Sequence, residues 1–131
     1  MSSIQHARHN ESTCNYLGKK EVYSDWVITT AFYASMHFVR HLMLPTTVEG
    51  TIYNDFEELF YHTKAIGEGR HGFQKNWVVQ NYPQIDYAYS RLHDMSNLAR
   101  YTKYEYTRAQ ACIAKGYLDT IKKFVQQEKP E

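Results

Sequence analysis

Residues 24–44, with the sequence SDWVITTAFYASMHFVRHLML, decide the fold. If this segment is a helix, apolar side chains cover most of its circumference, which is the pattern of a helix in the middle of a bundle. A polar stripe still follows one face, at steps of three and four residues: Thr30, Tyr33, His37 and His41. Such groups must be hydrogen-bonded, paired or functional, because an unpartnered polar group in an apolar interior lowers stability considerably.

Composition limits the remaining choices. A chain of 131 residues can form one core without disulfides or metals, so we predict a single domain over residues 1–131. Fifteen Lys and Arg residues against 14 Asp and Glu give a formal charge of +1, so any anion site must be local. The sequence shows neither the apolar core of a signal peptide nor a run of about 18 apolar residues, so we expect a cytoplasmic protein without membrane contact.

Helical periodicity continues along the chain. Gly18 and Pro45 are placed to end the first two helices, and Ser24 or Asp25 can accept hydrogen bonds from the first amides of the second. Pro83 is placed to open a later long helix. The predicted helices cover residues 4–17, 24–44, 55–64, 73–82, 84–104 and 108–127, with a flexible glycine-rich loop at 66–72. This pattern predicts an all-α protein, an up-and-down bundle of four long helices with one or two short helices inserted between the second and the fourth.

A second polar stripe lies on the predicted helix of residues 84–104: His93, Asn97, Arg100 and Tyr104. Because two long helices of one bundle can face each other, both stripes are expected to contribute to one site. A guanidinium matches phosphate oxygens, and a neighbouring imidazole can exchange a proton near neutral pH. We therefore assign Arg100 and His37 as candidate catalytic residues and, as candidate substrate-binding residues, Tyr33, His93, Asn97 and Tyr104. The alternative is that these side chains only satisfy one another inside a bundle.

Histidines and cysteines raise the question of a metal. His6 and His9 are three residues apart, and His37 and His41 are four apart, so either pair could offer two ligands from one helical face. Neither pair belongs to a metal-binding motif, so we expect no metal and no cofactor, and a histidine-rich metal-binding bundle is the weakest hypothesis. The two cysteines match no metal or redox spacing and are expected to be reduced thiols that pack between helices: Cys14 and Cys112.

Several segments resemble the HEPN superfamily of small all-helical bundles. They are the run DWVITTAFYASMHFV, then His62 or His71 beyond a loop, then YSRLHDMSNLARY, with the opening HARHNESTCNYL resembling the family's first helix. The resemblance covers nearly the whole chain and implies a bundle of four or five helices, often dimeric, with a site where the polar faces of two protomers meet. Many such proteins are metal-independent ribonucleases in toxin–antitoxin, phage-defence or RNA-processing systems, and others bind nucleotides or are structural.

HEPN ribonucleases carry an Arg that is followed, after four to six intervening residues, by a His. Arg100 matches this Arg by position, but the permitted positions after it hold Glu105, Tyr106 and Thr107, so the chain is a divergent member that lacks the second half of the motif. We therefore predict a HEPN-like binding module, a homodimer, that holds RNA, a nucleotide or a protein partner at the Arg100 face. The alternative is a divergent metal-independent endoribonuclease of toxin or defence type that uses Arg100 and one histidine: His37, His62, His71 or His93.

Overall fold

Six helices and one small sheet make up the part of the chain described by the computed structural model, residues 1–20, 23–101 and 106–131. In chain order the elements are α1 (Ser3–Gly18), α2 (Ser24–Met43), β1 (Thr46–Val48), β2 (Thr51–Tyr53), α3 (Phe56–Thr63), α4 (Arg70–Asn81), α5 (Asp86–Tyr101) and α6 (Arg108–Glu128). The all-α prediction is confirmed, and the two shorter helices α3 and α4 lie between α2 and α5 in sequence.

Helix α2 lies at the centre of the packing and contacts α1, α5 and α6. Small residues on one face of it are completely buried, among them Ala31, Ala34 and Ser35. Their size allows neighbouring helices to approach closely, while larger residues such as Phe32 and Phe38 fill the remaining volume. Residues 24–44 therefore form a helix in the middle of the packing, as their apolar pattern predicts.

Helix α6 presents one apolar line to this core. Five of its residues are buried, and all five are the ones that its helical spacing predicts: Ala111, Ala114, Leu118, Ile121 and Val125. Each large aliphatic side chain among them stabilises the fold by about 1.5–3 kcal/mol relative to exposure. Among the described helices none is long and apolar enough to cross a membrane.

Side-chain caps begin several helices. Ser2 accepts from the backbone amide of Gln5, whose side chain accepts from the Ser2 amide, and Thr107 and Gln110 repeat this reciprocal arrangement at α6. Asp55 accepts from the Glu58 amide at α3. The prediction that Ser24 or Asp25 caps α2 is wrong, because both residues lie inside the helix. The N-cap is Tyr23, which makes no side-chain hydrogen bond to the first turn.

A β-hairpin follows α2, although the sequence analysis predicts no helix or strand between residues 44 and 55. Antiparallel β1 and β2 pair Thr46 with Tyr53 and Val48 with Thr51. Glu49 and Gly50 form the turn with φ of 49° and 81°, as a two-residue hairpin turn requires. Strands of three residues are too short for alternation to identify them.

The glycine-rich segment is partly helical rather than wholly a loop. Gly67 has a φ of 79° and belongs to the turn, but Gly69 is the N-cap of α4, so Gly72 lies inside that helix. Helix α4 therefore begins three residues earlier than predicted, at Arg70 instead of Phe73. As a result, His71 lies in the first turn of a helix.

Candidate functional site

Arg100 is held in place in the last turn of α5. Its Nη1 donates to the Tyr33 hydroxyl at 2.5 Å, its Nη2 to Asn97 Oδ1 at 2.9 Å and its Nε to the Ser96 carbonyl at 3.3 Å. Tyr33 comes from α2, so the first of these bonds joins two long helices across the core, and the other two lie within α5. Tyr33 of the first polar stripe therefore meets Arg100 of the second at this point.

Aromatic rings lie beside the guanidinium. Its Cζ is 5.7 Å from the centre of the Phe32 ring and 5.3 Å from that of the Tyr33 ring, distances at which a cation is attracted by a ring face. Phe32 is completely buried, whereas Tyr33 and Arg100 are half-buried. The arrangement orients a cation that still reaches the surface.

His71 joins the same group from the first turn of α4. Its ring lies 5.4 Å from the Phe32 ring and 6.3 Å from the Tyr33 ring, and its Nδ1 is buried with no hydrogen-bond partner within the described ranges. Burial lowers the pKa of His71 to about 4, and the nearby charge of Arg100 acts in the same direction. The imidazole is therefore neutral at pH 7.

His93 completes the group from α5. Its ring lies 6.3 Å from that of His71 and 5.7 Å from that of Phe32. Its Nδ1 is 3.2 Å from Asp94 Oδ1, and the same oxygen accepts from Lys75 Nζ at 3.3 Å. We call Tyr33, His71, His93, Asn97 and Arg100 the Arg100 cluster.

Gln74 fixes the position of α4 and thereby of His71, which lies one turn earlier. It is completely buried; its Nε2 donates to the Met36 carbonyl at 2.8 Å, and its Oε1 accepts from Arg40 Nε at 2.9 Å. The guanidinium of Arg40 also stacks over the Phe56 ring at 3.8 Å. A buried amide with two partners is a specific link between α2 and α4.

His37 lies elsewhere, against α1. Its ring stacks on that of His6 with 4.7 Å between centroids and 20° between planes. Burial lowers its pKa to about 4, with smaller effects in the same direction from Arg40 and His6. His6 and His37 line a cavity of about 430 Å³ together with Arg40, Asp55 and Glu57, and none of the described contacts of His37 is to Arg100.

The structure thus brings together four of the six residues that the sequence analysis selected: Tyr33, His93, Asn97 and Arg100. His37 lies one helical turn beyond Tyr33 on α2 and contacts α1 instead, and Tyr104 lies outside the described residues. His71 was one of four histidines named as alternatives. Its position was missed because α4 starts before the apolar pattern begins at Phe73.

Comparison of this chain with models of protein families, with curated proteins and with solved structures found no match. No group of three His, Cys, Asp or Glu side chains that could hold a metal ion occurs in the part of the chain that the structure describes.

Proposed function

We propose that this chain is a HEPN-like helical binding module that holds RNA or a nucleotide by a phosphate group at the Arg100 cluster. One observation carries this proposal: hydrogen bonds to three described residues, Tyr33, Ser96 and Asn97, fix the Arg100 guanidinium beside a neutral, half-buried imidazole. A guanidinium held in one orientation binds an oxyanion with little further loss of side-chain entropy. The aromatic rings of Tyr33 and Phe32 keep it oriented.

The local field favours an anion. Arg100, Arg40 and Arg70 all act to lower the pKa of His71, which means that all three contribute positive potential at that ring. The formal charge of the whole chain is only +1, so this potential is a local property. A phosphate at the cluster would lie where positive potentials add, and the half-buried position would protect the interaction from full screening by salt.

Affinity measurements with Arg100 variants test the proposal. We expect fluorescently labelled single-stranded RNA to bind at least about tenfold more weakly to Arg100→Ala, since a hydrogen bond to a charged group is worth about 1.5–3 kcal/mol. Arg100→Lys should recover only part of the affinity, because an ammonium lacks the planar set of donors. The same titration with a nucleoside monophosphate distinguishes RNA from a free nucleotide as the ligand.

Arg91→Ala is the matched control. Arg91 is exposed on the same helix and lies nine residues before Arg100, on the opposite side of α5. It removes the same formal charge without touching the cluster. Equal affinities of Arg100→Ala and Arg91→Ala would contradict the proposal, whereas loss only in Arg100→Ala supports it.

A metal-independent endoribonuclease is the second candidate function, and the neutral imidazole of His71 beside Arg100 is the observation that favours it. In such a reaction the imidazole accepts the proton of an RNA 2′-hydroxyl while that oxygen bonds to the adjacent phosphorus. A 2′,3′-cyclic phosphate forms, and the bond from phosphorus to the 5′-oxygen breaks as that oxygen takes a proton from water. Arg100 would stabilise the charge that develops on the phosphate. Bound phosphate would raise the pKa of His71 towards the range of a useful base.

Incubation of mixed single-stranded RNAs with the protein in EDTA tests this second function. Cleavage that Arg100→Ala and His71→Gln both abolish would establish it with His71 as the histidine. Loss in His37→Gln with retention in His71→Gln would assign the role to His37, as the sequence analysis did. Intact RNA together with binding that depends on Arg100 leaves the binding module as the function.

The proposal includes a homodimer. Several large apolar side chains are exposed on the described surface, among them Tyr87, Leu98 and Ile113 at 70%, 44% and 52%. Surfaces of this kind often mark protein interfaces. Sedimentation velocity over a range of concentrations is expected to give twice the mass of the chain, which is 15.5 kDa, and a protein of one chain mass at all concentrations would remove this part of the proposal.

A further inference from the structure

A basic cavity lies at the end of the molecule where α1 finishes and where α2 and α6 begin. Its volume is about 210 Å³, and its described lining consists of Gly18, Lys20, Ser24, Val27, Arg108, Ala111, Cys112 and Lys115. These residues belong to three different helices and to the turn after α1. None of them belongs to the Arg100 cluster.

The lining carries one sign of charge. Lys20, Arg108 and Lys115 supply three cations, and no carboxylate lines the cavity within the described residues. Neither Lys20 nor Lys115 forms an ion pair with any carboxylate that the structure describes. Other surface lysines do: Lys122 pairs with Glu11, and Lys123 with Asp119. The positive charges of Lys20 and Lys115 at this cavity are therefore not offset by an ion pair among the described residues.

Helix ends add to the positive side of this balance. The cavity is lined by Ser24, in the first turn of α2, and by Arg108, the first residue of α6. The N-cap of α2 is Tyr23, which makes no side-chain hydrogen bond to the first turn. The amides of such first turns carry partial positive charge. Asp25 also lies in the first turn of α2, but it does not line the cavity.

The end of α1 exerts the opposite effect, and Lys115 is placed against it. A Cβ on Gly18, the last residue of α1, would lie 3.1 Å from Lys115 Nζ, so the ammonium lies close to the carboxyl end of that helix. A cation there offsets the partial negative charge of the final carbonyl groups. Lys115 therefore offsets the partial negative charge that the end of α1 presents to an anion in the cavity.

We propose that this cavity is a second oxyanion site, which binds a phosphate group between Lys20 and Lys115. The cavity shares no residue with the Arg100 cluster, so experiments can test this site independently of the proposed function. Cys112 provides a reporter inside the site: its side chain lines the cavity and is exposed, while Cys14 is buried. A bound phosphate would block Cys112 sterically and would repel anionic reagents.

The rate at which Cys112 is alkylated tests this site. Iodoacetate carries a negative charge and iodoacetamide does not, so we expect the cavity to favour iodoacetate in the wild-type protein relative to the Lys20→Gln and Lys115→Gln variants. Inorganic phosphate, titrated at constant ionic strength, should slow alkylation by either reagent at least threefold and with saturation. Mass spectrometry of the Cys112 peptide measures both rates. The same measurement with a nucleoside 5′-monophosphate or an RNA oligonucleotide in place of inorganic phosphate shows whether the site prefers free phosphate or a phosphate ester.

Controls separate this site from simpler explanations. Lys115→Gln removes the charge and keeps a polar side chain of similar reach beside Gly18, and circular dichroism shows whether the variant keeps its helices. Lys123→Gln removes one cation elsewhere on α6 and should leave protection by phosphate unchanged. Arg100→Ala should also leave it unchanged. The proposal would be overturned if phosphate does not slow alkylation of Cys112 in the wild-type protein. It would also be overturned if phosphate protects Cys112 in Lys20→Gln and Lys115→Gln as strongly as in the wild-type protein.

Discussion

Two pairs of histidines in this fold contain similarly buried imidazoles, but the surroundings of the two pairs differ. His71 and His93 meet edge to face at 6.3 Å beside Arg100, whereas His6 and His37 stack at 4.7 Å between α1 and α2. Each pair contains one histidine whose pKa burial lowers to about 4. A lowered pKa alone therefore does not identify the candidate site. The fixed guanidinium of Arg100 next to the first pair does.

The second pair has the features of a packing contact. Its rings lie nearly parallel, and it joins the first helix to the central one. Arg40 acts on His37 and on His71, so both pairs lie within the field of one cation. Gln74 holds that cation, and its loss should disturb both pairs at once.

Gln74→Ala is expected to have the largest effect. It removes the side-chain bond to the Met36 carbonyl and leaves the partly buried Nε of Arg40 without its acceptor, so we expect the free energy of unfolding to fall by about 2–3 kcal/mol. Urea denaturation measures this change. Gln80→Ala, at an exposed position of the same helix, is the control and should stay within about 0.5 kcal/mol of wild type. Equal stability of the two variants would show that the buried amide does not link α4 to α2.

Acid is expected to have an intermediate effect. His71 and His37 have folded-state pKa values near 4 and an ordinary value of 6.5, so the unfolded chain binds more protons between these limits. Stability is therefore fully present above about pH 6.5 and decreases as the pH falls towards 4. Because both rings are only partly buried, we expect about 1 kcal/mol from each.

Histidine variants apportion this dependence between the pairs. Denaturation at pH 7 and at pH 4.5 should give a smaller difference for His71→Gln than for wild type, and again for His37→Gln. If both variants keep the full wild-type difference, other groups cause the acid sensitivity and the two imidazoles are not neutral by burial.

His6→Ala is expected to have the smallest effect. His6 is only half-buried, and burial rather than His6 is the main cause of the low pKa of His37. We expect a loss of less than about 1 kcal/mol and unchanged RNA affinity. His9→Ala, three residues further along α1 and exposed, is the control for helix propensity. A clear loss of RNA affinity in His6→Ala alone would place the ligand at the second pair instead.

The sequence was sufficient where one physical pattern dominates. The line from Ala111 to Val125 follows helical spacing over several turns, and all five residues are buried. The hairpin was missed because three-residue strands give no measurable alternation and the turn pair Glu49–Gly50 is a weaker signal than Asn-Gly or Asp-Gly. Cys112 was expected to pack between helices but is exposed, since it lies beside the buried line of α6 and not on it.

The candidate site was predictable only in part. Helical spacing put Asn97 and Arg100 on one face of α5, and that spacing also accounts for their hydrogen bond. The same reasoning grouped Tyr33 with His37, but neighbours one turn apart on α2 meet different helices: Tyr33 contacts α5 and His37 contacts α1. Which helix a stripe meets depends on tertiary packing, which no single-helix pattern contains.

The most direct test of phosphate binding at the Arg100 cluster is an NMR pH titration of His71 and His37, with and without saturating single-stranded RNA. Single His→Gln variants assign the two signals. A phosphate next to Arg100 stabilises the imidazolium of His71, so its pKa should rise from about 4 by at least about one unit, while that of His37 stays near 4. An unchanged pKa of His71, or a rise confined to His37, would contradict the account.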